Sequence, residues 1–244
     1  FIINTFITLI FILPYPLFSQ SLEEHTPNAD PGFNRGSQII FQDNFEKDGI
    51  GAFPAMWTTT LSGEVKKFKG FDSKYLKIPA DAVVSPQLKS KLGENFTIEL
   101  DLIMPSDELH RHFGFALGTK IEKVSYLVSN RNAMTFAILC DDLNKVGSYK
   151  FYIGLPTKPG AKQSVVYKAL PDTKIHLATM VNGTRIRCYI DGKKIADLPG
   201  VMKPEFRNFF YANMITSGLK ETKTSYNYIS NIVIAEAGED ARNK

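Results

Sequence analysis

At 244 residues and 43% apolar content, the chain has the length for one large core or two small ones and is too apolar to be disordered. Its formal net charge of +4 comes from 29 basic residues interspersed among 25 acidic ones. No run of like charges is long enough to track a phosphate backbone, so nucleic acid is not an expected partner.

The chain opens on an apolar run, FIINTFITLIFILPYPLF. Its block Phe6–Leu13 has the length of a signal-peptide h-region and is too short to span a bilayer. Pro14 and Pro16 break it, and Ser19 offers a small residue for cleavage. The first residue is not Met and no basic stretch precedes the block, so the expectation is a signal peptide over 1–20 that begins part-way in. After cleavage no transmembrane span is expected. Residues 21–37, SLEEHTPNADPGFNRGS, are rich in Pro, Gly, Asn and charge, and predict a linker.

The folded domain is expected over 38–236. Gln38–Phe45 is a first strand, followed by a Gly/Pro loop that closes on the only tryptophan, Trp57. A Trp in that place is a packing anchor or, functionally, a platform for the apolar face of a sugar ring. Short strands follow at Glu64–Phe68, Tyr75–Ile78 and Ala82–Leu88. Asn95–Met104 is longer, with Phe96, Ile98, Leu100 and Leu102 on one face and Thr97, Glu99 and Asp101 on the other. Further strands are predicted at Phe113–Leu117, Val124–Val128, Met134–Cys140, Tyr149–Ile153 and Ser164–Ala169.

The clearest stretch is Lys174–Leu198, in which alternating runs are joined by Asn182-Gly183 and Asp191-Gly192. Both dipeptides suit the positive φ of a type I′ hairpin turn. Ile186, Cys188 and Ile190 share one face; Arg185, Arg187 and Tyr189 share the other, a candidate surface where Arg donates hydrogen bonds and Tyr stacks. Strands at Asn208–Met214 and Tyr228–Glu236 close the domain, and 237–244 is a polar tail. Many short strands with regular turn signals predict an all-β, antiparallel β-sandwich of jelly-roll type. The alternation predicts a core of Phe96, Ile98, Leu100, Leu102, Phe115, Phe136, Ile138, Ile175, Leu177, Ile186, Ile190, Ile232 and Ile234.

Catalytic patterns are weak. Glu99 and Asp101 form a Glu-x-Asp pair like that of jelly-roll β-glucanases, but the positions where a second Glu would complete a retaining site hold Ile103 and Met104. The pair is therefore read as the solvent face of its strand. His110-Arg111-His112 lacks a third ligand at a spacing zinc would need, with His25 in the linker and His176 on the meander. No cofactor is expected; Asp43, Asp141 and Asp142 are the oxygens from which a Ca²⁺ site would be built. Gly-x-Ser-x-Gly is absent, as is a C-x-x-C spacing. Cys140 and Cys188 are read as small strand hydrophobes, with a bridge between them open to an exported chain.

HLATMVNGTRIRCYIDGKKIADLP, together with IIFQDNFEKDGIGAFPAMW, LGENFTIELDLIM and YNYISNIVIAEAGED, resembles laminin-G-like/concanavalin-A-like sandwich domains. More narrowly, it is similar to the sandwich found ahead of OmpA-like peptidoglycan-binding domains in exported proteins of Bacteroidetes-type bacteria. The likeness runs from about Gln38 to Asp240 and lies mostly in structural motifs. It implies an exported location in the periplasm, at the outer membrane or on the cell surface. The OmpA-like part is not in this sequence. The expected function is a non-catalytic, envelope-associated module that binds a glycan or cell-wall polysaccharide or acts in adhesion, with Trp57, Arg185, Arg187 and Tyr189 as binding residues. A structural spacer of an OmpA-family protein is the alternative, and a glycoside hydrolase the third.

Overall fold

A computed structural model describes residues 32–79, 82–104, 112–118, 133–140, 148–154, 162–168, 173–207, 209–214 and 226–238. Among them, regular structure is all strand apart from a 3-10 turn at Pro204–Arg207. In chain order the strands are β1 (Gln38–Asp43), β2 (Trp57–Thr59), β3 (Glu64–Lys67), β4 (Lys74–Pro79), β5 (Val83–Pro86), β6 (Asn95–Ile103), β7 (His112–Gly118) and β8 (Ala133–Cys140). They continue as β9 (Ser148–Gly154), β10 (Lys162–Lys168), β11 (Lys174–Asn182), β12 (Arg185–Ile190), β13 (Lys193–Leu198), β14 (Phe209–Met214) and β15 (Tyr226–Glu236).

Two antiparallel sheets result. One runs β13-β12-β11-β6-β15-β4-β3, with β1 also joined to β15; the other runs β10-β9-β8-β7-β14-β5-β2. Their inner faces meet in one core. Ile98, Leu100 and Leu102 of β6 and Ile175 and Leu177 of β11 share it with Phe115, Phe136 and Ile138 of the opposite sheet. Every core residue expected from the alternation is buried there. Each such side chain contributes roughly 1.5–3 kcal/mol of burial. The antiparallel β-sandwich expected from the sequence is the observed fold. The expected strand Val124–Val128 lies outside the described residues.

The meander β11-β12-β13 forms with its first turn one residue later than expected and a bulge at Ile195, where the β12–β13 register shifts. Ile190 pairs Lys193, so Asp191-Gly192 is a two-residue turn, and both residues have positive φ, 48° and 77°. That is the type I′ turn expected. In the first hairpin, Asn182 still pairs with Arg185, so the turn residues are Gly183 and Thr184 rather than Asn182 and Gly183. Only Gly183 has positive φ, 58°, which matches a turn with Gly at its first central position. Asn182 stays in the ladder because its strand continues through it.

Cys188 is a buried free thiol. Burial pushes it up to about 12, so it acts as a core hydrophobe. Cys140 ends β8 in the other sheet, with its side chain outside the described residues.

Candidate functional site

The centre of the candidate site is β6, the middle of the eight-stranded sheet. Its inner face fills the core, and its outer face, Thr97, Glu99 and Asp101, is buried too. This corrects the expectation of a solvent face. Alternation tells which face a residue occupies, but not whether another segment covers that face.

The covering segment is 32–37, which the sequence assigns to the linker. Arg35 lays its guanidinium fork on Glu99, with Nε 2.5 Å from Oε1 and an Nη atom 3.0 Å from Oε2. The Gly36 N–H donates to Thr97 Oγ1 at 3.1 Å. A Cβ at Gly36 would sit 2.1 Å from the Glu236 carbonyl oxygen, so only glycine lets the segment lie this close. Phe33 packs edge-on against Tyr189 at 5.7 Å between ring centroids.

From the other side, the β6–β11 register sets His176 opposite Asp101 and Ala178 opposite Glu99. Ala178 offers no polar group, so the imidazole reaches both carboxylates. Nδ1 lies 2.8 Å from Asp101 Oδ1 and Nε2 lies 3.5 Å from Glu99 Oε2. With both nitrogens facing anions, both carry protons. The hydrogen bonds to Asp101 and then Glu99 raise His176 to about 9, against an ordinary value of 6.5. The carboxyls respond in the opposite sense. Burial pushes Glu99 up, but hydrogen bonds from His176 and Arg35 outweigh it and hold it below the ordinary range. Asp101 is likewise lowered against burial, by His176, Asn231 and the Lys174 charge.

Asn231 arrives through a bulge. On β15, Ser230 pairs Asp101 and Val233 pairs Glu99, so Asn231 and Ile232 together oppose the single residue Leu100. Asn231 has φ of 50°, a left-handed conformation Asn tolerates. Its Nδ2 donates to Asp101 Oδ2 at 2.8 Å, and its Oδ1 accepts from Ser73 Oγ at 3.0 Å. At this same point β15 changes its other neighbour, pairing β4 through residues 226–229 and β1 through residues 232–236. Between those pairings, and over the bulge, opens a pocket of about 490 Å³. Arg35, Lys47, Asp101, Lys174, His176 and Asn231 are among its lining residues.

The residues expected to bind sit elsewhere. Trp57 is buried; its Nε1–H donates to Asp43 Oδ2 at 2.8 Å, and its ring packs against Phe41 and Phe45. It is a packing anchor, not an exposed platform. Arg187 and Tyr189 do point away from the core, as alternation requires, yet both are buried. Tyr189 lies under Phe33, and Arg187 faces Met180 Sδ at 3.7 Å and Asp197 at 3.5 Å. Arg185 keeps some exposure and grips Asp197 with a fork of 2.7 and 2.9 Å. These four residues do not present a common ligand surface.

Of the metal candidates, Asp43 accepts the Phe45 N–H on one oxygen and Trp57 on the other. Asp141, Asp142, His110 and Arg111 lie outside the described residues, as does the side chain of His112. Among the described residues, no group of three His, Cys, Asp or Glu side chains is arranged to hold a metal ion.

Sequence reasoning missed Arg35, Lys47, Lys174, His176 and Asn231 as a group. One signal was present: Ile229 and Ile232 are both core residues three apart, a break in the period of two that marks a bulge.

No protein-family model and no curated protein matches the chain. Solved structures do match it in shape. The ligand-binding domain of botulinum neurotoxin serotype D, in complex with N-acetylneuraminic acid, aligns over 84% of this chain and 49% of its own, with 9% identity and a TM-score of 0.53. Another structure of the serotype D binding domain gives 10% identity over the same shares and a TM-score of 0.52. The fold is an antiparallel β-sandwich. A carbohydrate-binding module from Bacillus subtilis aligns over 74% of this chain and 96% of its own at 17% identity, with a TM-score of 0.46. The chain spans about half the length of the neurotoxin domains it matches.

Proposed function

We propose that this chain is a non-catalytic binding module that takes a glycan in the pocket over the β15 bulge. The observation that carries this reading is the pocket itself: about 490 Å³, within the range of small-ligand sites, with its polar groups already fixed by one another. Arg35, His176 and Asn231 are held by the two buried carboxylates, so little ordering remains to be done on binding. The neurotoxin domains of this fold are described as ligand- or receptor-binding, which agrees with a binding role.

Glycoside hydrolysis is disfavoured by the chemistry of Glu99 and Asp101. It needs one carboxyl that holds its proton near neutral pH beside one that does not. Here both are pulled below their ordinary values, so neither is a general acid. The reading includes export, on the strength of the apolar block Phe6–Leu13, and a place in a bacterial envelope, on the OmpA-context resemblance.

A glycan array probed with the full chain tests the proposal, with Val233→Trp as the control that fills the pocket. Binding that disappears in Val233→Trp, at an unchanged melting temperature, supports it. A flat array, or signals the variant leaves intact, counts against it.

A further inference from the structure

Resting on that reading, we infer that the sugar taken by this pocket is acidic, carrying a carboxylate as uronic and nonulosonic acids do. The charged groups at the site face in opposite directions. Each carboxylate at the site is turned inward and engaged. Glu99 and Asp101 have side chains only 5% exposed, and their oxygens meet Arg35, His176, Asn231 and Lys174. Asp43 is taken up by Phe45 and Trp57.

The cations face outward. The Arg35 side chain is 50% exposed, Lys174 is 53% and His176 is 36%, while Lys47 is exposed on the rim. The pocket is thus anionic underneath and cationic where a ligand would touch it. A neutral sugar needs acceptors for its hydroxyl protons as well as donors, and the lining carboxylates, Asp43 and Asp101, already accept from Phe45, Trp57, His176 and Asn231. A carboxylate needs donors alone, and charged donors make its strongest hydrogen bonds. The imidazole adds to this: with its two N–H groups engaged by Asp101 and Glu99 it is held protonated at neutral pH, so it contributes positive charge to the pocket wall and offers no acceptor.

Calorimetry or ligand-observed NMR with the full chain would use N-acetylneuraminic acid and glucuronic acid, the methyl ester of each, and N-acetylglucosamine. The acids are expected to bind about tenfold or more tightly than their own esters, with affinity falling as salt rises from about 50 to 500 mM. Lys174→Gln should weaken the acids several-fold more than it weakens their esters; Lys47→Glu serves the same purpose should the first variant melt early. Equal affinity for acid and ester overturns the inference and leaves the glycan reading standing. No binding by any sugar, here and on the array, overturns both.

Discussion

Arg35 and Glu99, 64 positions apart, share two hydrogen bonds across the outer face of the eight-stranded sheet. The pair ties the segment before β1 to the central strand, and it makes that segment part of the domain. A chain begun at Gln38 should therefore be less stable than one begun at Gly32. Losing Arg35 leaves a buried carboxylate with His176 alone, and losing Phe33 uncovers Tyr189. Because Arg35 is half exposed, the ion pair itself is screened, and Arg35→Ala should cost about 1–2 kcal/mol rather than the full cost of a buried pair. Urea unfolding of both chain lengths and of Arg35→Ala checks this; equal midpoints would refute it.

His176 should give stability a distinctive dependence on pH. Its folded value, about 9, lies above the ordinary 6.5, so its contribution is complete below about 6.5 and is lost as pH rises through about 9. Glu99 and Asp101 are lowered, so theirs is present above the ordinary carboxyl values and lost as pH falls through the folded ones. The urea midpoint should be flat between about pH 5 and 6.5 and decline towards pH 10. His176→Gln should remove the alkaline decline. An imidazole that titrates near 6.5 by NMR would overturn the assignment.

Arg187 should behave as a core residue. Arg187→Ala removes the partner of Met180 Sδ and Asp197 and leaves a void, at about 2–4 kcal/mol. Lys in its place keeps the charge without the planar fork and should not restore the wild-type midpoint. Sugar affinity at the pocket should be unaffected. A variant of normal stability that loses binding would return this residue to the ligand surface.

Trp57 offers a spectroscopic check, since it is the only tryptophan. Its emission should be blue-shifted, resist acrylamide and stay constant on addition of sugar. Trp57→Phe strands the Asp43 oxygen it served and should cost about 1–3 kcal/mol. A red-shifted emission quenched by sugar would instead make it a platform.

The inner half of this sandwich was legible because burial between two sheets imposes a period of two, which Phe96 through Leu102 display without a break. Asp191-Gly192 was legible because few residues adopt positive φ in succession. The outer half was not. Glu99 and Tyr189 alternate just as solvated residues do, and what covers them comes from Arg35 and Phe33, whose neighbours in the chain look like linker. Cover of that kind is set by tertiary placement, and local pattern carries no trace of it. His176 was visible as a strand residue, but its two carboxylate partners follow from the β6–β11 register, which depends on strands 70 residues apart in the sequence finding each other.

The bulge at Asn231 separates what the two faces of β15 require. Ile229, Ile232 and Ile234 all face the core, and without Asn231 they would fall into an unbroken alternation, with Ser230 still opposite Asp101 and Val233 still opposite Glu99. The hydrophobic interior therefore has no need of this residue. A chain one amino acid shorter would close the ladder more regularly and fold around the same apolar side chains. Asn231 serves only the other face, and a homologue lacking it would keep the sandwich and give up the cleft.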